Sequence, residues 1–120
     1  MATMNQVIAQ LDRVKPNVFT DDDKYRWIST LEGLVAREVM GEDAPELDLP
    51  ADADKELSVP YPFDDLYLLY AGAQAELYSR EYEDYNSMAV MFEQRYDQFK
   101  AWYIQRHAAG KAKNFRNVMG

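Results

Sequence analysis

At 120 residues with 48% hydrophobic content, the chain is one domain with enough apolar mass for a real core, which excludes wholesale disorder. The formal net charge is −8 and is unevenly spread: residues from Arg106 onward hold four cations and no acid, leaving 9 basic against 21 acidic residues before them. Such a body repels nucleic acid unless it mimics it, and the absence of cysteine excludes disulfides and thiolate metal sites.

Val7, Ile8, Leu11 and Val14 recur at helical spacing and predict a first helix over Thr3–Val14, ended by Lys15–Pro16. Thr20 is a good N-cap for a second helix, with Asp21, Asp22 and Asp23 in the first turn, where negative charge favours the positive end of the helix dipole. Trp27 or Ile28, Leu31, Val35 and Val39 form its apolar stripe, and Gly41 is a natural stop. The stretch 42–62 breaks the pattern with four of the five prolines and seven acids against one lysine. A connection of that length in a small domain is usually functional or mobile. Leu47–Leu49 and Leu57–Val59 are expected to pair as a small β-hairpin around Pro50–Glu56.

Pro62, followed by Asp64 and Asp65, starts a third helix, and "LYLLYAGAQA" is apolar or small nearly all round. Such a helix is central in a bundle or covered by a neighbouring subunit. A tight turn is expected near Ser79–Glu81. The last helix then runs from about Tyr82 to His107, roughly 39 Å at about 1.5 Å per residue. Tyr85, Met88, Phe92, Phe99 and Tyr103 lie on one stripe of it, supplemented by Tyr96 and Trp102. The expected fold is all-α: a four-helix bundle with a long C-terminal antiparallel helical hairpin, the proline-rich acidic loop, and an extended C-terminal arm. Residues 1–107 make the helical domain and residues 108–120 the arm. No run is long and apolar enough for a bilayer, and no basic stretch precedes an apolar one at the start, so neither a membrane span nor a secretion signal is expected.

Nothing in the pattern calls for catalysis. The single histidine, His107, has no cysteine or second histidine beside it and reads as a helix-end cation. Asp52, Asp54 and Glu56 alternate like a calcium loop, but Leu57 stands where glycine is needed and Phe63 where the bidentate glutamate is needed. Asp21–Asp23 point in different directions from one helical turn and do not converge on a metal. No catalytic residue, metal or cofactor is therefore expected. Nine tyrosines and two tryptophans are more aromatic bulk than one hairpin buries, which points to a protein–protein interface.

The stretch "VPYPFDDLYLLYAGAQAELYSREYEDYNSMAVMFEQRYDQFKAWYIQ" resembles the helical hairpin of head-to-tail connector (adaptor) proteins of tailed bacteriophages, and the two ends of the chain fit that group as well. In relatives the hairpin turn is often Asn-Gly, where this chain has Ser79–Arg80. The resemblance implies a structural virion protein at the neck, assembled in the host cytoplasm. It would form a ring, usually of twelve copies, beneath the portal protein, extend the DNA channel without sequence-specific binding, and dock the stopper or tail-completion protein. It also implies that the arm reaches the portal through Arg106, Lys111, Lys113, Asn114, Phe115 and Arg116, while Tyr67, Tyr70, Tyr78 and Tyr82 are the candidates for contact between subunits. A different class, a small acidic DNA mimic that inhibits a host nuclease or DNA-binding protein, fits the charge. It fits the basic tail and the clustering of acids at helix starts less well.

Overall fold

The computed structural model describes residues 2–119, with side chains described from Ala2 to His107. It holds four α-helices, α1 (Met4–Val14), α2 (Asp21–Val35), α3 (Leu66–Tyr78) and α4 (Tyr82–Met119), and no strand among the described residues. The protein is all-α.

Thr3 caps α1 through a reciprocal pair. Its hydroxyl accepts from the Gln6 N–H at 3.2 Å, and the Gln6 side chain accepts from the Thr3 N–H at 3.1 Å. Met4, Val7, Ile8 and Leu11 are buried, whereas Val14, in the last turn, stays exposed. Thr20 caps α2 as expected, accepting from the Asp23 N–H at 3.2 Å. Trp27, Ile28, Leu31 and Val35 all point inward. The helix widens into a π-turn at Ala36–Met40 and stops at Gly41, whose φ of +67° is reached cheaply only without a side chain.

The expected β-hairpin within 42–62 does not form. Ala51–Asp54 makes a 3-10 turn, the Asp48 N–H donates to the Asp52 carboxylate at 2.7 Å, and the Leu57 N–H donates to the Ala2 carbonyl at 2.9 Å. The N–H groups of Leu57, Ser58 and Val59 that would have laddered with Leu47–Leu49 are taken by Ala2, Glu32 and Tyr67, leaving among the described residues one isolated bridge, Thr3 to Glu56. Ala53, Leu57 and Val59 still bury their side chains, so the loop lies against the core.

A 3-10 turn at Phe63–Asp65 leads into α3, which contacts α1, α2 and α4. Its all-round apolar character is therefore matched by neighbours from the same chain. A Cβ on Gly72 would meet the flexible Met88 side chain and lie at an ordinary contact distance, 3.9 Å, from Leu11 Cδ1, so α3 runs close to both α4 and α1 there. The turn after α3 closes with the Glu81 N–H donating to the Glu76 carbonyl at 3.0 Å and the Arg80 N–H to Leu77 at 3.1 Å, with Arg80 at φ +62°. This is the Schellman arrangement, normally built on glycine.

Along α4, Tyr96 and Phe99 are buried and the remaining members of the aromatic stripe are half-buried. Phe92 meets Tyr70 of α3 at 5.3 Å between ring centroids, and Phe99 meets Phe63 at 5.6 Å. Arg95 ties the start of α3 to α4. It donates to Asp65 at 3.0 Å and to the Pro62 carbonyl at 2.7 Å, and its guanidinium sits 4.6 Å over the Phe63 ring. The sequence ends this helix near His107, whereas α4 continues to Met119. The expected arm, with Lys111, Lys113, Asn114, Phe115 and Arg116, lies outside the residues whose side chains are described.

Candidate interaction surfaces

The four tyrosines expected between subunits separate into two kinds. Tyr67 is fully buried inside its own chain and belongs to the core, a correction to the expected subunit contact. Its hydroxyl accepts the Val59 N–H at 2.8 Å and donates to Glu32. Burial and the neighbouring Glu32 carboxylate push its phenol well above the ordinary tyrosine range. Tyr70 is half-buried, while Tyr78 and Tyr82 remain 62% and 57% exposed.

Tyr70 and Tyr78 are brought together with two residues that sequence reasoning left out of the interface, Phe19 and Trp27. A groove of about 390 Å³ opens between α2 and α3, its aromatic wall made by these four. Trp27 and Tyr78 stack with planes 5° apart and centroids at 6.0 Å, and Phe19 meets Trp27 edge-on at 5.2 Å. Asp23, Arg26, Thr30 and Gln74 form the polar lip. The signal in the sequence was the ambiguity between Trp27 and Ile28 on the α2 stripe: both are buried, but Ile28 faces the main core while Trp27 packs with Phe19 and Tyr70 at the groove.

A second apolar region surrounds the stretch of α4 from Trp102 to His107. Tyr61, Trp102, Tyr103, Arg106 and His107 line a cleft with Met40 and Pro60, and Tyr61 is 80% exposed. Arg106 lies 5.2 Å over the Trp102 ring, and His107 stacks on Tyr103 at 4.0 Å while its Nδ1 donates to the Tyr103 carbonyl at 2.9 Å. Ser58 shares this cleft, but its hydroxyl donates to Glu32 at 2.8 Å. Serine and histidine are therefore each committed elsewhere, and no nucleophile–base pair forms between them.

Glu32 is one of two buried acids, with Glu76, that sequence reasoning missed. At 3% exposure its carboxylate accepts from the Ser58 N–H at 3.1 Å, from the Ser58 hydroxyl and from the Tyr67 hydroxyl. It clasps the end of the acidic loop onto α2. Its place on the face shared by Ile28 and Val35 was legible from the spacing.

The acidic motifs resolve into local structure. Asp52 accepts from Asp48 N–H and pairs with Lys55 at 3.0 Å, and the first of these contacts does most to hold its carboxyl below the usual range. Asp54 accepts from Asn5 at 2.6 Å, so the two do not converge on a calcium site. Across the turn after α3, Glu76, Glu81 and Asp84 bring carboxylate oxygens within 4.8 Å of one another. Lys15 already supplies that cluster with a cation, pairing with buried Glu76 and lying 3.5 Å from Glu81. Among the described residues no helix is long and apolar enough to cross a membrane. Comparison of the chain with family models, with curated proteins and with solved structures finds no match.

Proposed function

We propose that this chain is a non-enzymatic structural subunit of the neck of a tailed-bacteriophage particle: a head-to-tail connector that assembles as a twelve-membered ring beneath the portal, extends the DNA channel and docks the stopper or tail-completion protein. In this reading the helices form a bundle in which α3 and α4 are the antiparallel hairpin, and the basic arm, residues 108–120, meets the portal.

The observation that carries the reading is the contrast between interior and surface. The buried charges are spent on structure: Glu32 on the loop, Lys24 on Asp12 at 2.7 Å, Glu76 on Lys15. The surface keeps large apolar groups, with Val14, Val18, Tyr61, Tyr78, Tyr82, Val90, Met91 and Ile104 all more than half exposed. A protein that acts by contact leaves such groups for its partners. The acidic body also suits a channel wall from which passing DNA is repelled.

The test is a pull-down from lysate of phage-infected host cells, with tagged full-length protein beside a truncation ending at Gly110, and captured proteins identified by mass. Recovery of portal and tail-completion proteins by the full chain, with portal lost from the truncation, is the expected result. Recovery of a host nuclease or DNA-binding protein by both, with no virion protein, replaces the connector with the acidic mimic. An interaction of the mimic kind also weakens steeply with salt, whereas packed aromatic contacts hold.

A further inference from the structure

We propose that the groove between α2 and α3 is a receptor for the basic C-terminal segment of a second copy of this chain, with Phe115 of that copy seated against Trp27 and Tyr78. The inference goes beyond the connector reading and does not rest on it.

The groove presents an aromatic wall, which takes a flat apolar side chain, and it stands at an acidic end of the molecule. The first turn of α2 brings residues 21–23 to one side, and Glu81, Glu83 and Asp84 stand at the start of α4 just past Tyr78. Against these six acids stand Arg26, Arg80 and Lys15, which lies 3.5 Å from Glu81, so the balance stays negative. The complementary ligand is an apolar anchor flanked by cations. The chain carries one such stretch, "KAKNFR", residues 111–116, with three cations around a single phenylalanine and no acid.

Reach decides whose arm fills the groove. Tyr70 packs against Phe92, and Tyr78 lies eight residues further along α3, opposite about residue 84 of α4. From there to His107 is about 34 Å of helix at about 1.5 Å per residue. Phe115 follows His107 by eight residues, whose backbone spans at most about 29 Å when fully extended. The α4 backbone also continues helical past His107, away from the groove. The chain's own Phe115 therefore falls short of Trp27 and Tyr78, and the occupant is another copy. Such a contact is heterologous: each copy offers one arm and one groove, so copies add in one direction until a ring closes. A portal that takes the same arm competes with it.

The test uses the full-length chain and two single variants, Phe115→Ala (arm lost, groove intact) and Tyr78→Ala (groove altered at an exposed residue, arm intact), with folding checked by circular dichroism. Sedimentation equilibrium of the unaltered protein should show association that strengthens with concentration and weakens with salt. Each variant alone should associate at least tenfold more weakly. Mixed in equal amounts, the two variants should form a dimer and stop there, because only one intact arm–groove pair exists per pair of chains. Association of Phe115→Ala at the level of the unaltered protein overturns the proposal, as does a mixture no more associated than its components. So does an unaltered protein that stays monomeric at millimolar concentration. None of these outcomes depends on portal capture, so the connector reading stands or falls separately.

Discussion

Two buried tyrosines with opposite hydrogen-bonding states make the energetics testable at the scale of single residues. The Tyr67 hydroxyl serves both Val59 N–H and Glu32, so Tyr67→Phe leaves a buried N–H without a partner and removes one of the donors to a buried carboxylate. We expect a loss of about 1–3 kcal/mol in urea denaturation, the cost of orphaning buried polar groups. The Tyr96 hydroxyl is buried with no partner, so Tyr96→Phe should be neutral or stabilising in the same measurement. Equal losses in both variants would show that packing, and not hydrogen bonding, sets the cost. The buried position of Glu32 was readable from the spacing Ile28–Glu32–Val35, which puts a carboxylate on an apolar face. Its partners were not, because Ser58 and Tyr67 lie 26 and 35 residues away and only folding brings them to it.

Among the elements, the turn between α3 and α4 is the most exposed to a sequence-level test. Arg80 stands at φ +62°, the position of the Schellman turn that is normally glycine. A non-glycine residue there carries a steric cost of about 1–2 kcal/mol, offset in glycine by its larger entropy loss of about 0.5–1 kcal/mol. Arg80→Gly should therefore raise stability by about 0.5–1 kcal/mol, seen as a higher urea midpoint at unchanged slope. A lower midpoint would mean that the arginine side chain supports the turn. The start of α2 was the most legible part of the chain, since Thr20 caps it through a neighbour three residues away; Thr3 caps α1 in the same way, though the sequence reading puts it inside the helix. The loop was the least legible. Leu47–Leu49 and Leu57–Val59 have the composition of strands, but the Leu57 N–H is satisfied by Ala2, a partner 55 positions distant that no local pattern reveals.

For the whole molecule, buried phenols make alkali a global stress. Burial pushes Tyr96 from its ordinary 10.0 up to about 12, and raises Tyr67 further. Below pH 10 both folded and unfolded chains hold these protons and the stabilisation is complete. As pH rises from about 10 towards 12, the unfolded chain releases protons that the folded chain retains, so stability falls. The melting temperature should decline steeply over that window, and the Tyr67→Phe, Tyr96→Phe double variant should decline less. Parallel curves would remove these two groups as the cause. By itself the sequence determined the helical class, the Thr20 cap, the all-round apolar character of the third helix and the aromatic stripe of the last one, because each depends on residues within a turn or two of each other. The tertiary structure alone decided that Tyr67 is core, that Glu32 clasps the loop, and that Phe19, Trp27, Tyr70 and Tyr78 form one groove. Those outcomes depend on which helix faces which, and contacts between distant segments are fixed by packing the whole chain around one core.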